Sequence, residues 1–587
     1  MRPLAASMVG VRFGAGGRAR REMWMKYRRI GLALVVPALV ATACGSGSSS
    51  SSTGAALAAT QQLRFPITDD IKYLDPGHVS TAVDIAFVQN TFGGLYRFDD
   101  NLKEVPYIAT AMPDISSDGL TYTFHMRHDV KFSNGDPVTS ADVLYSWNRA
   151  ARLNDSYGIV FQPVEGYTAV APSKGNPTAT TLSGLSAPDQ YTVKAKLTLP
   201  AGYWLTEVAL WTADVVDQKV IPNDTDKTWW TNPATAIGTG PFKLTAYVPK
   251  DHLSFANVPN WWGGSTGHLT DIEATILADQ GSQVTKYQNG GFDMIGPADN
   301  YPPLDAVRNF QANSATKSQF VNIPGGRSTW VGFNFSTGPF APAGGNIDDP
   351  IALAGRRAFS EAIDRTQLVT VACGPGGIVC KPGTGGVIPK GLDGYLGDGA
   401  DTSSAFDATK AKADLQTWDP NGTKRVGLQY WYNTTTSNKA IADNLQSQWQ
   451  TNLGVHVDTQ HTDFSTFLTA RQDKKYTLFR DSWGADYNNP QDWFDNIFIC
   501  SQAAVGLGNN DGICDQRIDT PVKKAEGETG SQAITDFTTA NKQLVTDYAA
   551  AVLEYGANQY FIKPYVQGGG GNALYDNSWT SISIAAH

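Results

Sequence analysis

The chain cannot fold as one body from its first residue. Eight basic residues, Arg2, Arg12, Arg18, Arg20, Arg21, Lys26, Arg28 and Arg29, precede an apolar run, IGLALVVPALVATA, over Ile30–Ala43. A basic stretch followed by a short apolar one is the pattern of an export signal, too short and too abruptly ended for a spanning helix. It stops at small residues before Cys44, and a polar tether, GSGSSSSSTG, follows. The folded body is therefore expected only after about residue 61, and outside the cytoplasm.

The order of basic stretch, apolar stretch and Ala-Thr-Ala-Cys resembles a bacterial lipobox, with Ala41 where leucine is usual. That resemblance implies cleavage after residue 43, lipid on Cys44, and residues 44–61 as a lipidated tether. The segment MKYRRIGLAL also reads as a complete signal start, which makes Met25 an alternative first residue. Without the leader, 38 basic residues face 54 acidic ones, a net charge near −16. Such a surface repels nucleic acid and anionic headgroups, so contact with the membrane is expected through the lipid alone.

Four cysteines remain after Cys44: Cys373, Cys380, Cys500 and Cys514. An even number outside the cytoplasm points to disulfides, with three possible connectivities. Short separation favours Cys373–Cys380 and Cys500–Cys514. A zinc site is the alternative, but the spacings and the absence of accompanying histidines speak against it.

About 540 residues suffice for two to four domains. LTYTFHMRHDVKF alternates as two strands near a turn would, and TSADVLYSWNRAA offers Thr139 or Ser140 as a cap for a helix with Val143, Leu144 and Trp147 on one face. NKAIADNLQSQWQTNLG sets Ile441, Leu445, Trp449 and Leu453 at helical spacing with Gly454 as the stop. VHVD then reads as a strand and DFSTFLTARQ as a helix. Strand-helix alternation of this kind argues for α/β lobes.

Four blocks carry a wider resemblance. They are YLDPGH with the run from Gly93 to Trp147, GTGPFKLTAYVPKDHLSFANVPNWWGG, GRRAFSEAIDRTQLV, and SWGADYNNP. In this order they resemble the extracytoplasmic solute-binding proteins of the peptide/nickel class that feed ABC importers, and most of all the oligopeptide binders. The resemblance implies a type II periplasmic-binding fold, two α/β lobes about a hinge, enlarged by an inserted α/β domain. It places lobe one in residues 62–96, 232–334 and 555–587, the insert in 97–231, and lobe two in 335–554. It implies a monomeric receptor without cofactor, taking an oligopeptide and docking on ABC permease subunits.

It also implies site residues. Asp486 matches the family aspartate that binds the ligand ammonium, Arg480 an arginine that receives the carboxylate of short peptides, and Trp483 an aromatic pocket wall. Asp70 falls where relatives carry an acid that meets basic ligand side chains. A binder of many peptides must grip backbone, ammonium and carboxylate, and an extended groove meets the backbone by adding a strand. Plainer readings stay open. Asp486 can be a turn acid before Asn-Asn-Pro, Arg480 can pair with Asp481, and Trp483 can be core.

Nothing in the chain reads as catalytic. GGSTG fits the nucleophile-elbow pattern but lies between NVPNWW and HLTDIEATI, where a loop is expected. GNNDGICD lacks the order of a calcium loop, and no zinc-protease, Walker or dinucleotide motif occurs. A nickel chelate or an oligosaccharide is the alternative ligand, and a lipid-anchored hydrolase the alternative class.

Overall fold

The computed structural model describes residues 56–155, 157–224, 226–501 and 511–587. The leader, Cys44 and most of its tether lie outside the described residues.

In the first lobe, strand Gln62–Ile67 runs parallel to Asp271–Ile276, which pairs antiparallel with His252–Asn257 and then Phe242–Val248. The chain's tail returns here: Ala58 N–H donates to Ile584 O at 2.8 Å, and the Trp579 ring packs among Phe87, Phe242 and Phe255.

Within 97–231 a four-stranded sheet, Asp114–Ile115, Thr121–His125, Thr192–Lys196 and Leu185–Asp189, carries helix Ser140–Leu153. Thr139 caps that helix through a capping box with Asp142, whose carboxylate accepts from Thr139 N–H at 2.8 Å. Val143 and Trp147 face inward, Trp147 meeting Phe124 edge-on at 5.7 Å. The insert has no separate core, since its buried apolar residues, Leu102 apart, form one cluster with those of the first lobe. The expected second strand at Val130–Phe132 is only an isolated bridge, Lys131 with Pro137, because proline cannot continue a ladder.

The second lobe is built on a mixed sheet ordered Met294–Ile295, Ala550–Ile562, Phe320–Phe333, Leu478–Gly484, Gln429–Asn433, Asp458–Thr462, with Cys380–Pro382 also on Ala550–Ile562. Helix Thr436–Leu453 ends at Gly454 with φ 71°. The turn that glycine makes delays the next strand, which spans Asp458–Thr462 and not VHVD; Val455 and Val457 are buried in the lead-in. Helix Phe464–Gln472 follows, capped by Asp463. Helix Arg365–Ala372 packs antiparallel to Thr436–Leu453, as two bonds near its start show: Gln448 Nε2 to Asp364 O, 3.1 Å, and Asn452 Nδ2 to Ala362 O, 2.8 Å.

Two strands pass from lobe to lobe. Phe320–Phe333 and Ala550–Ile562 pair along both halves, with a register shift between Pro324 and Ser328. Beyond that shift Arg327–Phe333 pairs with Leu478–Gly484, and Trp330, Val331 and Phe333 enter the second lobe's core. Cys373 and Cys380 stand 2.02 Å apart at sulfur, Cys500 and Cys514 2.14 Å, each pair at disulfide distance.

Candidate ligand-binding cavity

A cavity of about 530 Å³ opens where the two crossing strands meet both lobes and the insert. Its second-lobe wall follows from strand alternation. On Leu478–Gly484, residues Arg480, Ser482 and Gly484 share one face, opposite Val331, Thr329 and Arg327 of the neighbouring strand. Arg480, Gly484, Thr329 and Arg327 all line the cavity. Asp481 and Trp483 point to the other face. Asp481 pairs with Arg471, so the Arg480–Asp481 pair does not form. Trp483 packs against the second lobe's core and is not among the lining residues.

Just past the strand, Asp486 reaches the cavity wall. Its Oδ1 accepts from Tyr157 OH of the insert at 2.8 Å, its N–H donates to Asp492 Oδ2 at 2.8 Å, and its carbonyl accepts from Tyr575 OH of the tail. Three parts of the chain thus meet on one aspartate. Burial pushes its carboxyl up to about 6, against the opposing pull of the Tyr157 hydrogen bond and the Arg327 charge. The Tyr157 ring meets Trp211 edge-on at 4.8 Å, which makes this end aromatic.

The cationic end is Arg480. Its Nη1 makes one long bond, 3.4 Å, to Asn433 Oδ1, and its Nε is buried without a partner among the described residues. Burial lowers its pKa. Ser437 and Asn438, in the first turn of helix Thr436–Leu453, line the same region, where the helix dipole favours an anion. Arg327 is exposed to the cavity and forms no ion pair or side-chain hydrogen bond among the described residues. Its guanidinium lies over Gly484, where an added Cβ would stand 3.2 Å away. Burial raises Glu554 against the pull of Thr329 and of both arginines, and Asp576, pushed by burial up to about 6, accepts from Ala298 N–H at 2.7 Å and Tyr560 OH at 2.9 Å.

Asp70 is elsewhere. Its Oδ2 accepts from Lys250 N–H at 2.9 Å and Tyr247 OH at 3.2 Å, which fixes the turn between strands Phe242–Val248 and His252–Asn257. The structure thus brings Asp486 and Arg480 into one cavity and leaves Trp483 and Asp70 outside its lining. Arg327, Glu554, Tyr157 and Tyr575 are the additions. Arg327 lies in IPGGRS, whose glycines read as a turn, and the tyrosines come from segments far from Asp486 in sequence.

The backbone offers a further contact. Only Leu478 and Phe479 pair with strand Gln429–Asn433, so beyond Phe479 that edge of Leu478–Gly484 carries no paired strand among the described residues. The GGSTG segment is a loop, with Ser265 Oγ accepting from Gly267 N–H at 3.1 Å. No group of three or more His, Cys, Asp or Glu among the described residues is placed to hold a metal.

Two lobes joined by a pair of crossing strands around a cavity with unspent charges of both signs define a solute-binding receptor. The chain belongs to the bacterial extracellular solute-binding proteins, family 5, whose middle-region model matches residues 103–504. It is 25% identical to the oligopeptide-binding protein OppA of Bacillus subtilis (strain 168), covering 78% of this chain and 81% of that protein. It is 24% identical to the periplasmic oligopeptide-binding protein OppA of Escherichia coli (strain K12), covering 91% and 94%. The unliganded open form of MppA, a periplasmic murein tripeptide binding protein, matches with a TM-score of 0.74 at 23% identity over 91% of this chain and 99% of that one, a likeness of fold.

Proposed function

We propose that this protein captures oligopeptides in the interlobe cavity and delivers them to the permease of an ABC importer, held at the membrane by lipid on Cys44. The observation that carries the reading is the unequal treatment of charge along the cavity: a carboxylate, Asp486, at an aromatic end with Arg327 beside it, and an under-used guanidinium, Arg480, farther down the strand. A free peptide presents an ammonium and a carboxylate at the ends of an extended backbone, and the open edge past Phe479 suits that backbone. Relatives named for binding oligopeptides support the same ligand class.

The domain limits proposed are lobe one at about 62–96, 232–324 and 557–587, the insert at 97–231, and lobe two between the crossings. Asp486 is the proposed ammonium anchor and Arg480 the proposed carboxylate receiver, with Asp70 and Trp483 outside the lining.

The test is a double-mutant cycle read by isothermal titration. When the lobes close, ammonium and Asp486 leave water together, and a buried charge deprived of its partner costs about 3–5 kcal/mol. Asp486→Ala is expected to weaken a tripeptide about 100-fold or more, since each 1.4 kcal/mol is about tenfold. Acetylating the peptide's amino terminus should cost the wild type a similar amount and the variant much less. Additive losses would reduce Asp486 to a turn residue.

A further inference from the structure

Arg327 and Arg480 are the only basic residues on the cavity lining among the described residues, against four acids, Asp299, Asp486, Glu554 and Asp576. The two arginines are held differently. Arg480 is bonded to Asn433, whereas Arg327 is exposed to the cavity and forms no ion pair or side-chain hydrogen bond among the described residues. The acids around it are engaged elsewhere. Asp486 accepts from Tyr157 OH, and Asp576 accepts from Ala298 N–H and Tyr560 OH. Burial disfavours the charge of Glu554, and Asp299 faces the Tyr301 hydroxyl.

Strand pairing fixes where Arg327 stands. It lies opposite Gly484, on the face that Arg480, Ser482 and Gly484 turn to the cavity. A Cβ on Gly484 would stand 3.2 Å from both Cζ and Nη2 of Arg327, so the guanidinium covers the place a side chain would fill. On its other side Gly556 would bring an added Cβ to 3.6 Å from the Cβ of Arg327. Gly484 is two residues from Asp486 and four from Arg480, about 7 and 13 Å along extended backbone. A peptide held by its ammonium at Asp486 and running toward Arg480 therefore passes Arg327 with its first residues.

Lobe closure makes that passage selective. A peptide with neutral side chains covers the guanidinium without giving it a partner, and a cation taken out of water unpaired is heavily penalised. A carboxylate on the peptide removes the penalty, because the planar fork of an arginine donates two parallel bonds to it. A lysine at the same place adds repulsion instead.

We propose that Arg327 selects oligopeptides with an aspartate or glutamate among their first two residues. The proposal rests on the peptide reading above and adds a side-chain preference to it.

The probes are the tripeptides Asp-Ala-Ala and Ala-Asp-Ala with free termini and their asparagine twins, titrated into the mature wild type and into Arg327→Gln and Arg327→Glu. The better of the two acidic peptides is expected to bind the wild type about tenfold or more tightly than its twin, one 1.4 kcal/mol step. Arg327→Gln should bring that pair within about twofold. Arg327→Glu should reverse the order, with lysine at the same position ahead of aspartate. Neither substitution removes a hydrogen bond or ion pair of this side chain among the described residues, so both variants are expected to fold. A wild type that binds acidic and asparagine peptides equally, or an Arg327→Gln that keeps the preference, overturns the selection and leaves a peptide receptor intact. An Ala-Ala dipeptide that binds as tightly as the acidic tripeptides and loses as much in Arg327→Gln makes Arg327 a receiver of the chain end, and overturns it as well. A wild type that binds none of the peptides overturns the peptide reading and, with it, this proposal.

Discussion

Two regions of the molecule bury charge in opposite ways. Where the insert meets the first lobe, Asp75 is saturated by its own chain: Arg149 donates both Nη atoms to it at 2.8 and 2.6 Å, and Trp229 Nε1 donates at 2.7 Å. Arg365, in the second lobe's core, likewise spends its donors on the carbonyls of Val552, Ser404, Ser360 and Ile363. In the cavity Arg480 makes one long bond and Arg327 none among the described residues. The charges of Asp75 and Arg365 are met by groups of the fold. Arg480 and Arg327, which face the cavity, keep donors that a ligand could use.

The largest effect that could break this contrast lies at the saturated pair. Arg149→Met leaves Asp75 buried without its cation and is expected to cost about 3–5 kcal/mol of stability, read by urea unfolding, with tripeptide affinity unchanged among the molecules that remain folded. If stability were untouched and binding fell, the division between structural and ligand-facing charge would be wrong.

A smaller effect sharpens the other side. The Asp486 carboxyl sits at about 6 in the free protein, above the ordinary 3.8, because burial disfavours its charge. Its proton therefore stabilises the free fold, fully below the ordinary 3.8 and progressively less as pH rises from there through about 6. Binding an ammonium needs the carboxylate, so below pH 6 the proton must leave first. Tripeptide affinity should fall about tenfold from pH 7 to pH 5, roughly 1.4 kcal/mol. In Asp486→Asn that dependence should disappear; its survival would assign it to Asp576 or Glu554.

The smallest expected effect is at Asp70. Asp70→Ala loosens a hairpin turn and should alter tripeptide affinity by less than about twofold, under about 0.5 kcal/mol, in a calorimetric comparison. A tenfold loss for peptides with basic side chains would return Asp70 to the site.

The residues legible in the sequence were those on which local pattern and resemblance agreed. Asp486 lies in the quoted block SWGADYNNP and Arg480 two positions before it, and both reach the cavity. Trp483 lies in that block too, but a strand turns alternate residues to opposite faces, and the parity of 480 and 483 already separates them. Thr139 and Gly454 were legible because caps are local chemistry. Arg327 was hidden because a Pro-Gly-Gly run reads as a turn, whereas here it is the register shift of a continuous strand. Tyr157 and Tyr575 were hidden for a different reason: 329 and 89 residues separate them from Asp486, and only the packed fold brings them to it.

The paired crossing strands have a mechanical consequence. Because Phe320–Phe333 and Ala550–Ile562 are hydrogen-bonded to each other on both sides of the shift at Pro324–Ser328, they behave as one ribbon and not as two separate tethers. A paired ribbon of this kind resists bending of one strand without the other. Bending of the ribbon moves Tyr157 and Asp486 relative to each other together with every other group that faces across the gap. A solute held by one lobe alone then gains nothing from partial closing. Capture and release become the two ends of one swing.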